Sequence, residues 1–131
     1  MGSWEEVRRL ATALPEVAET GTAGGNLAWA VRGKMFAWER PLRRSDLAAL
    51  GDSAPAGQIL GLKTGDLDAK DAMLAADAEV VFTTPHFNGY PAVLVKLDAA
   101  PIELLEELIP EAWLAQAPKR LAKEFLAAHG G

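Results

Sequence analysis

Leu27-Ala28-Trp29-Ala30-Val31-Arg32-Gly33-Lys34-Met35-Phe36-Ala37-Trp38-Glu39 is the stretch that decides the fold. On both sides of Gly33-Lys34 large and small side chains alternate, the repeat of a strand with two unlike faces, and a glycine-led pair is a turn that joins antiparallel strands. Pairing Arg32 with Met35 sets Val31 opposite Phe36 and Trp29 opposite Trp38 on one face. The other face then carries Ala30 opposite Ala37 and Ala28 opposite Glu39. Such small residues let a helix dock closely, whereas the aromatic row is either core or an exposed stacking platform.

Outward from this hairpin, helices and strands are marked by their caps and periods. Ser3 and Glu6 form a capping box before Trp4, Val7, Leu10, Ala11 and Leu14, which recur at helical spacing until Pro15. Residues 20 to 25 are glycine-rich and read as a loop without the lysine and hydroxyl of a phosphate cradle. Ser45 to Gly51 is a short capped helix, and residues 58 to 64 a strand with Gly61 in its middle. A helix runs from about Asp66 or Leu67 to Ala76. Residues 79–83 and 92–97 are two further strands. Pro101 opens a helix that Pro110 is expected to kink or split, and Pro118 opens a last one before His129 and a flexible Gly130-Gly131. The order αββ(α)βαββαα describes one α+β domain, an antiparallel sheet of about five strands flanked by helices.

The composition fits a single globular domain: 131 residues, half of them hydrophobic, with 25 alanines and 18 leucines. The lack of cysteine excludes disulfides and thiolate chemistry, and no apolar run approaches the roughly 20 residues of a membrane span. Nothing at the start resembles a secretory leader, so a cytoplasmic protein without membrane contact is expected. The net charge of −5 argues against a strongly basic nucleic-acid binder as a whole molecule. That sum hides a polarity, because residues 32–44 hold five basic side chains against Glu39, while residues 66–111 hold ten acids against Lys70 and Lys96.

No catalytic constellation is visible. Ser3, Ser45 and Ser53 lie at a cap or in loops, and neither His86 nor His129 has a partner at metal-ligand spacing. No metal or cofactor is therefore expected, and the protein reads as non-enzymatic. The densest chemistry is in Thr84-Pro85-His86-Phe87-Asn88-Gly89-Tyr90-Pro91, which presents an imidazole, an amide, a phenol and a phenyl ring between two strands. Either these groups hold a ligand, or the prolines shape the connection while Phe87 and Tyr90 fold back onto the core.

Several segments together resemble the MmcQ/YjbR family: Leu14-Pro15, Ala28 to Ala37, Ile59 to Lys63, Phe82 to Pro91, Glu111-Ala112-Trp113 and Ala117-Pro118-Lys119. The match covers nearly the whole chain, and the Trp-x-Val-x-Gly-Lys-x-Phe hairpin is its most specific part. The resemblance implies a frataxin/CyaY-like fold and a double-wing, DNA-binding surface. Two pairs depart from the family pattern, Ala92-Val93 in the last strand and Ala112-Trp113 in the following helix. The iron-binding acidic ridge of frataxin-like proteins is represented only by Glu5 and Glu6, against Arg8 and Arg9.

Two expectations follow. In the first, Arg32, Lys34, Arg43 and Arg44 contact nucleic-acid phosphates, with Trp38 exposed for stacking, giving weak, salt-dependent DNA binding. In the second, a pocket beside the Thr84–Pro91 loop holds a small ligand through His86, Asn88 and Tyr90, with Arg32 or Lys63 meeting an anion.

Overall fold

The computed structural model describes residues 2–21 and 24–128; Met1, Thr22, Ala23, His129 and the Gly130-Gly131 tail lie outside the described residues. The elements run α1 (Trp4–Thr12), β1 (Val17–Gly21), β2 (Leu27–Val31), β3 (Lys34–Glu39), α2 (Arg44–Leu50), β4 (Ile59–Lys63), α3 (Leu67–Ala76), β5 (Val81–Phe82), β6 (Ala92–Lys96), α4 (Ile102–Gln116) and α5 (Lys119–Ala128). The strands form one open antiparallel sheet in the order β1-β2-β3-β4-β6-β5. The α+β class stands, with a sixth strand added. β1 begins before the expected loop and pairs with β2 from Val17↔Val31 to Gly21↔Leu27.

The β2–β3 hairpin exists, but its register differs from the expected one in two ways. The turn is Arg32-Gly33, one residue earlier, with φ of 51° and 82°, which is the left-handed pair of a type I′ turn. Val31 then pairs with Lys34 and Ala30 with Met35, yet Trp29 pairs with Ala37. Phe36 is therefore an extra residue, a bulge that puts Phe36 and Ala37 on the same side of the sheet. Beyond it the alternation is inverted. Trp38 faces away from Trp29 and pairs with Ala28, not with Trp29 as in the expected register.

This one insertion divides the aromatic row between two compartments. Trp29, Val31 and Phe36 are fully buried in the main core with Leu60, Leu62, Val93, Val95 and residues of α1 and α4. The helices thus dock on the aromatic side, and the expectation of a helix on the alanine face is corrected. Large side chains there bury more apolar area than alanines could. Trp113 adds a long-range tie, its indole N–H donating to the Pro15 carbonyl at 3.0 Å. α4 runs unbroken through Pro110; the five buried side chains it contributes on both sides of the proline, Leu105, Leu108, Ile109, Ala112 and Trp113, outweigh one missing backbone hydrogen bond.

The opposite face carries a smaller cluster of Ala28, Trp38, Ile59, Phe87, Ala92 and Leu94, flanked by Leu42 and Phe82. Its central row crosses the sheet as Ala28, Trp38, Gly61, Leu94 and Phe82. Gly61 has to be glycine: a Cβ there would stand 2.4 Å from Trp38 Cε2. The indole lies across the bare backbone of β4, and so a tryptophan packs flat against the sheet.

Candidate functional site

On this second face, a cleft of about 830 Å³ opens between the hairpin, the segment entering α2 and the turn over residues 85–90. Trp38, Arg43, Lys63, His86 and Tyr90 line it, together with Arg40 and Phe87. Five of the nine side chains singled out from the sequence thus converge on one site, drawn from both expectations. The other four stand apart. Arg32 is engaged by Glu16 through two hydrogen bonds, one of them Nη2 to Oε2 at 2.9 Å, and borders a separate hollow near α5. Lys34, Arg44 and Asn88 are exposed and do not line the cleft. Trp38 is 8% exposed, so the expectation of a free stacking platform is corrected: the indole is part of the cleft's wall.

The wall formed by residues 40–46 is organised by a buried ion pair. Arg40 and Asp46 are nearly inaccessible, and Nη2 lies 3.0 Å from Oδ2. Asp46 also accepts the backbone N–H of Arg43 at 2.8 Å, which seats the start of α2. Burial pushes the Asp46 carboxyl up, but the Arg43 amide and the Arg40 guanidinium together outweigh it and hold the carboxyl below the usual range. Arg40 further donates to the Pro41 carbonyl and stands 5.3 Å from the Phe87 ring centroid. Its charge is spent within the protein.

The opposite wall is held by a residue that no local pattern singles out. Lys70, midway along α3, is 5% exposed, and its ammonium donates to the carbonyls of Phe87 at 2.6 Å and Tyr90 at 2.8 Å. Burial lowers its pKa, while Asp71 acts in the opposite sense. Tyr90 N–H donates to the Phe87 carbonyl at 3.0 Å and Ala92 N–H to the Tyr90 carbonyl at 2.8 Å, while Gly89 takes a φ of 74° that closes the turn. Phe87 folds into the sheet cluster, as the packing reading of this loop expects, whereas Tyr90 does not fold back onto the core and stays 46% exposed. His86 meets Phe87 edge to face at 4.9 Å.

Lys63, from the end of β4, places its ammonium 4.0 Å from the Tyr90 ring centroid. Neither Lys63 nor Arg43 has a carboxylate ion-pair partner among the described residues. The one acid in the lining, Glu39, accepts the Leu27 N–H at 3.0 Å. The cleft is thus a local positive site in a chain of net charge −5. No group of three or more His, Asp or Glu side chains is placed to hold a metal ion, and no helix is long and apolar enough to cross a membrane, among the described residues. The two pairs that depart from the family pattern are fully buried. Ala92 belongs to the second-face cluster, and Val93, Ala112 and Trp113 lie in the main core.

A helix-flanked open antiparallel sheet of this kind, with a cleft on the less covered face, places the chain among small α+β domains. The family model YjbR matches residues 12–115, and the chain belongs to the YjbR family. It is 48% identical over 133 residues to the uncharacterized protein Rv2570 of Mycobacterium tuberculosis and, equally, to the uncharacterized protein Mb2600 of Mycobacterium bovis. Each match covers 99% of this chain and 100% of the relative. The fold is similar to that in the crystal structure of Deinococcus radiodurans protein DR2400, a DUF419 domain. There the TM-score is 0.65 at 23% identity, over 95% of this chain and 88% of the other.

Proposed function

We propose that this protein is a non-enzymatic binding module that holds a small organic anion in the cleft between residues 40–43 and the loop 84–91. The observation that carries this is the convergence of two cations without carboxylate partners, Lys63 and Arg43, with His86 and Tyr90 on one cleft. Its volume, about 830 Å³, lies within the roughly 300–1,000 Å³ range of small-molecule sites. The walls are preorganised by the Arg40–Asp46 pair and the Lys70 clamp, so little ordering is left for the ligand to accomplish. Among the described residues no nucleophile, base and orienting group stand together there, which favours binding over catalysis.

The test is a thermal-shift and calorimetric screen of small carboxylates and phosphate monoesters. A compound at a hundred times its Kd stabilises the folded state by about 2.7 kcal/mol. Lys63→Met and Arg43→Met are expected to weaken that response at least tenfold. A screen in which no anion stabilises the wild type, or in which both variants respond as the wild type does, refutes the reading.

Weak DNA binding is a second reading, supported by Lys34, Arg43 and Arg44, three exposed cations within residues 34–44 that lack carboxylate ion-pair partners among the described residues. Arg32 contributes less to it, being engaged by Glu16. A salt titration with duplex and single-stranded DNA decides it, each phosphate contact adding about 0.7–0.9 to the log–log slope. Absence of salt-dependent affinity at low ionic strength ends this reading.

A further inference from the structure

We infer that the anion recognised by this cleft carries a flat aromatic ring, an aryl carboxylate or aryl phosphate, and that Lys63 and Tyr90 read its two parts as one unit. This rests on the cleft reading above and specifies its ligand class.

Tyr90 is the chain's single tyrosine, and nearly half of its surface is exposed. An exposed large ring gains little for folding, yet the backbone beneath it is fixed at three points, through the Phe87 carbonyl, the Lys70 ammonium and the Ala92 amide. A wet ring on a rigid mount is a ready-made contact surface.

Lys63 supplies the complementary half. A lysine with no carboxylate partner ordinarily extends into solvent, but here the negative face of the Tyr90 ring holds the ammonium at 4.0 Å. A charge so restrained can meet an anionic oxygen without first giving up side-chain freedom. An anion seated on Lys63 lies next to the phenol ring, and whatever it carries is directed along aromatic surface. Phe87 stands 6.2 Å from Tyr90, His86 stands 4.9 Å from Phe87, and Trp38 lines the same cleft. A ring gains stacking and edge contacts in such surroundings that an alicyclic group of the same size does not. A cationic ring would meet Lys63 and Arg43, both of its own sign.

The experiment compares matched probes: benzoate with cyclohexanecarboxylate, and phenyl phosphate with cyclohexyl phosphate. Binding is read by calorimetry and by quenching of Trp38 fluorescence, with Trp38→Phe as the fluorescence control. The aryl member of each pair is expected to bind about 3- to 10-fold more tightly, the ratio set by the usual worth of one aromatic pair. Tyr90→Leu brings both ratios to about one, and Tyr90→Phe keeps them. If both members of each pair bind equally to the wild type, the ring inference is overturned and the anion cleft stands. If the preference survives Tyr90→Leu, the assignment to Tyr90 is overturned. If no probe of either kind binds, the cleft reading fails and takes this inference with it. Tighter binding of phenyl phosphate than of benzoate identifies aryl phosphates as the better class, and the reverse identifies aryl carboxylates.

Discussion

Replacing Gly61 with alanine tests both the packing of the second sheet face and its connection to the cleft. The added Cβ would lie 2.4 Å from Trp38 Cε2, 2.7 Å from Cζ2 and 2.8 Å from Nε1. These are atoms of a stiff bicyclic ring that is 92% covered, since only 8% of the residue is exposed, so no flexible end can swing aside. Overpacking of this kind costs about 1–3 kcal/mol, and alanine's lower unfolded-state entropy returns roughly 0.4–1 kcal/mol of it. A net loss of about 1–2 kcal/mol is expected, a fall in Tm on the order of 5 °C for a chain of this length. Urea unfolding followed by circular dichroism measures it without depending on tryptophan emission. The same change made in a Trp38→Leu background is expected to cost nothing, because the clashing ring is gone. The coupling in that double-mutant cycle is therefore about 1–2 kcal/mol. Equal costs in the two backgrounds would refute the argument that Gly61 exists to seat the indole. Because the displaced ring must tilt toward the cleft, Gly61→Ala should also weaken benzoate binding.

Four further outcomes follow from the same geometry. Asp46→Asn leaves the buried Arg40 guanidinium without its counter-charge and should cost about 3–5 kcal/mol, whereas replacing both partners with apolar residues should cost much less, as chemical denaturation of the three variants would show. The Asp46 carboxyl has a pKa below its unfolded value, so its contribution is present above the unfolded value near pH 4 and fades as pH falls through the folded one; the wild-type Tm should drop more steeply on acidification than that of Asp46→Asn. Lys70→Met should speed hydrogen exchange at the Tyr90 and Ala92 amides and weaken anion binding while far-ultraviolet circular dichroism stays unchanged; unaltered exchange there would dispose of the clamp. Arg32→Asn should leave stability unchanged or raise it by roughly half a kcal/mol, since asparagine accepts the left-handed turn more readily and the exposed pair with Glu16 is worth little, whereas Gly33→Ala at a φ of 82° should lower Tm.

Signals confined to neighbouring residues were legible in the sequence. Ser3 caps α1 by accepting the Glu6 N–H, so that helix starts where its cap predicts, and α3 starts at Leu67, one of the two expected residues, with Asp66 capping it by accepting the Ala69 N–H. The hairpin, too, is written locally, but its register is not. A type I′ turn with arginine in its first position looks like a glycine-led turn shifted by one residue, and a bulge leaves no mark on a run of alternating side chains. β1 escaped notice because its side chains are mostly exposed, and Val17-Ala18-Glu19-Thr20-Gly21 has no apolar alternation to show. In the site, the loop 84–91 declared itself through its mixture of rings and polar groups. Lys70 could not, because a lysine in a helix looks solvated until two carbonyls from residues 17 and 20 positions further on converge on it. Trp38 stands out in the sequence, but alternation puts it on the wrong face because the bulge that inverts the strand is silent there.

The extra residue at Phe36 has a consequence for how this protein can change over time. A strand with strict alternation would tie all its aromatics to one environment, so any change at Trp38 would be judged by the core. With the bulge, Trp29 and Phe36 answer to the main core, while Trp38, two positions on from Phe36, answers to the second cluster and the cleft wall. If the cleft holds the proposed anion, ligand preference and the main core are thereby placed under separate selection on a single strand. The size permitted at residue 61 is the constraint that still links them.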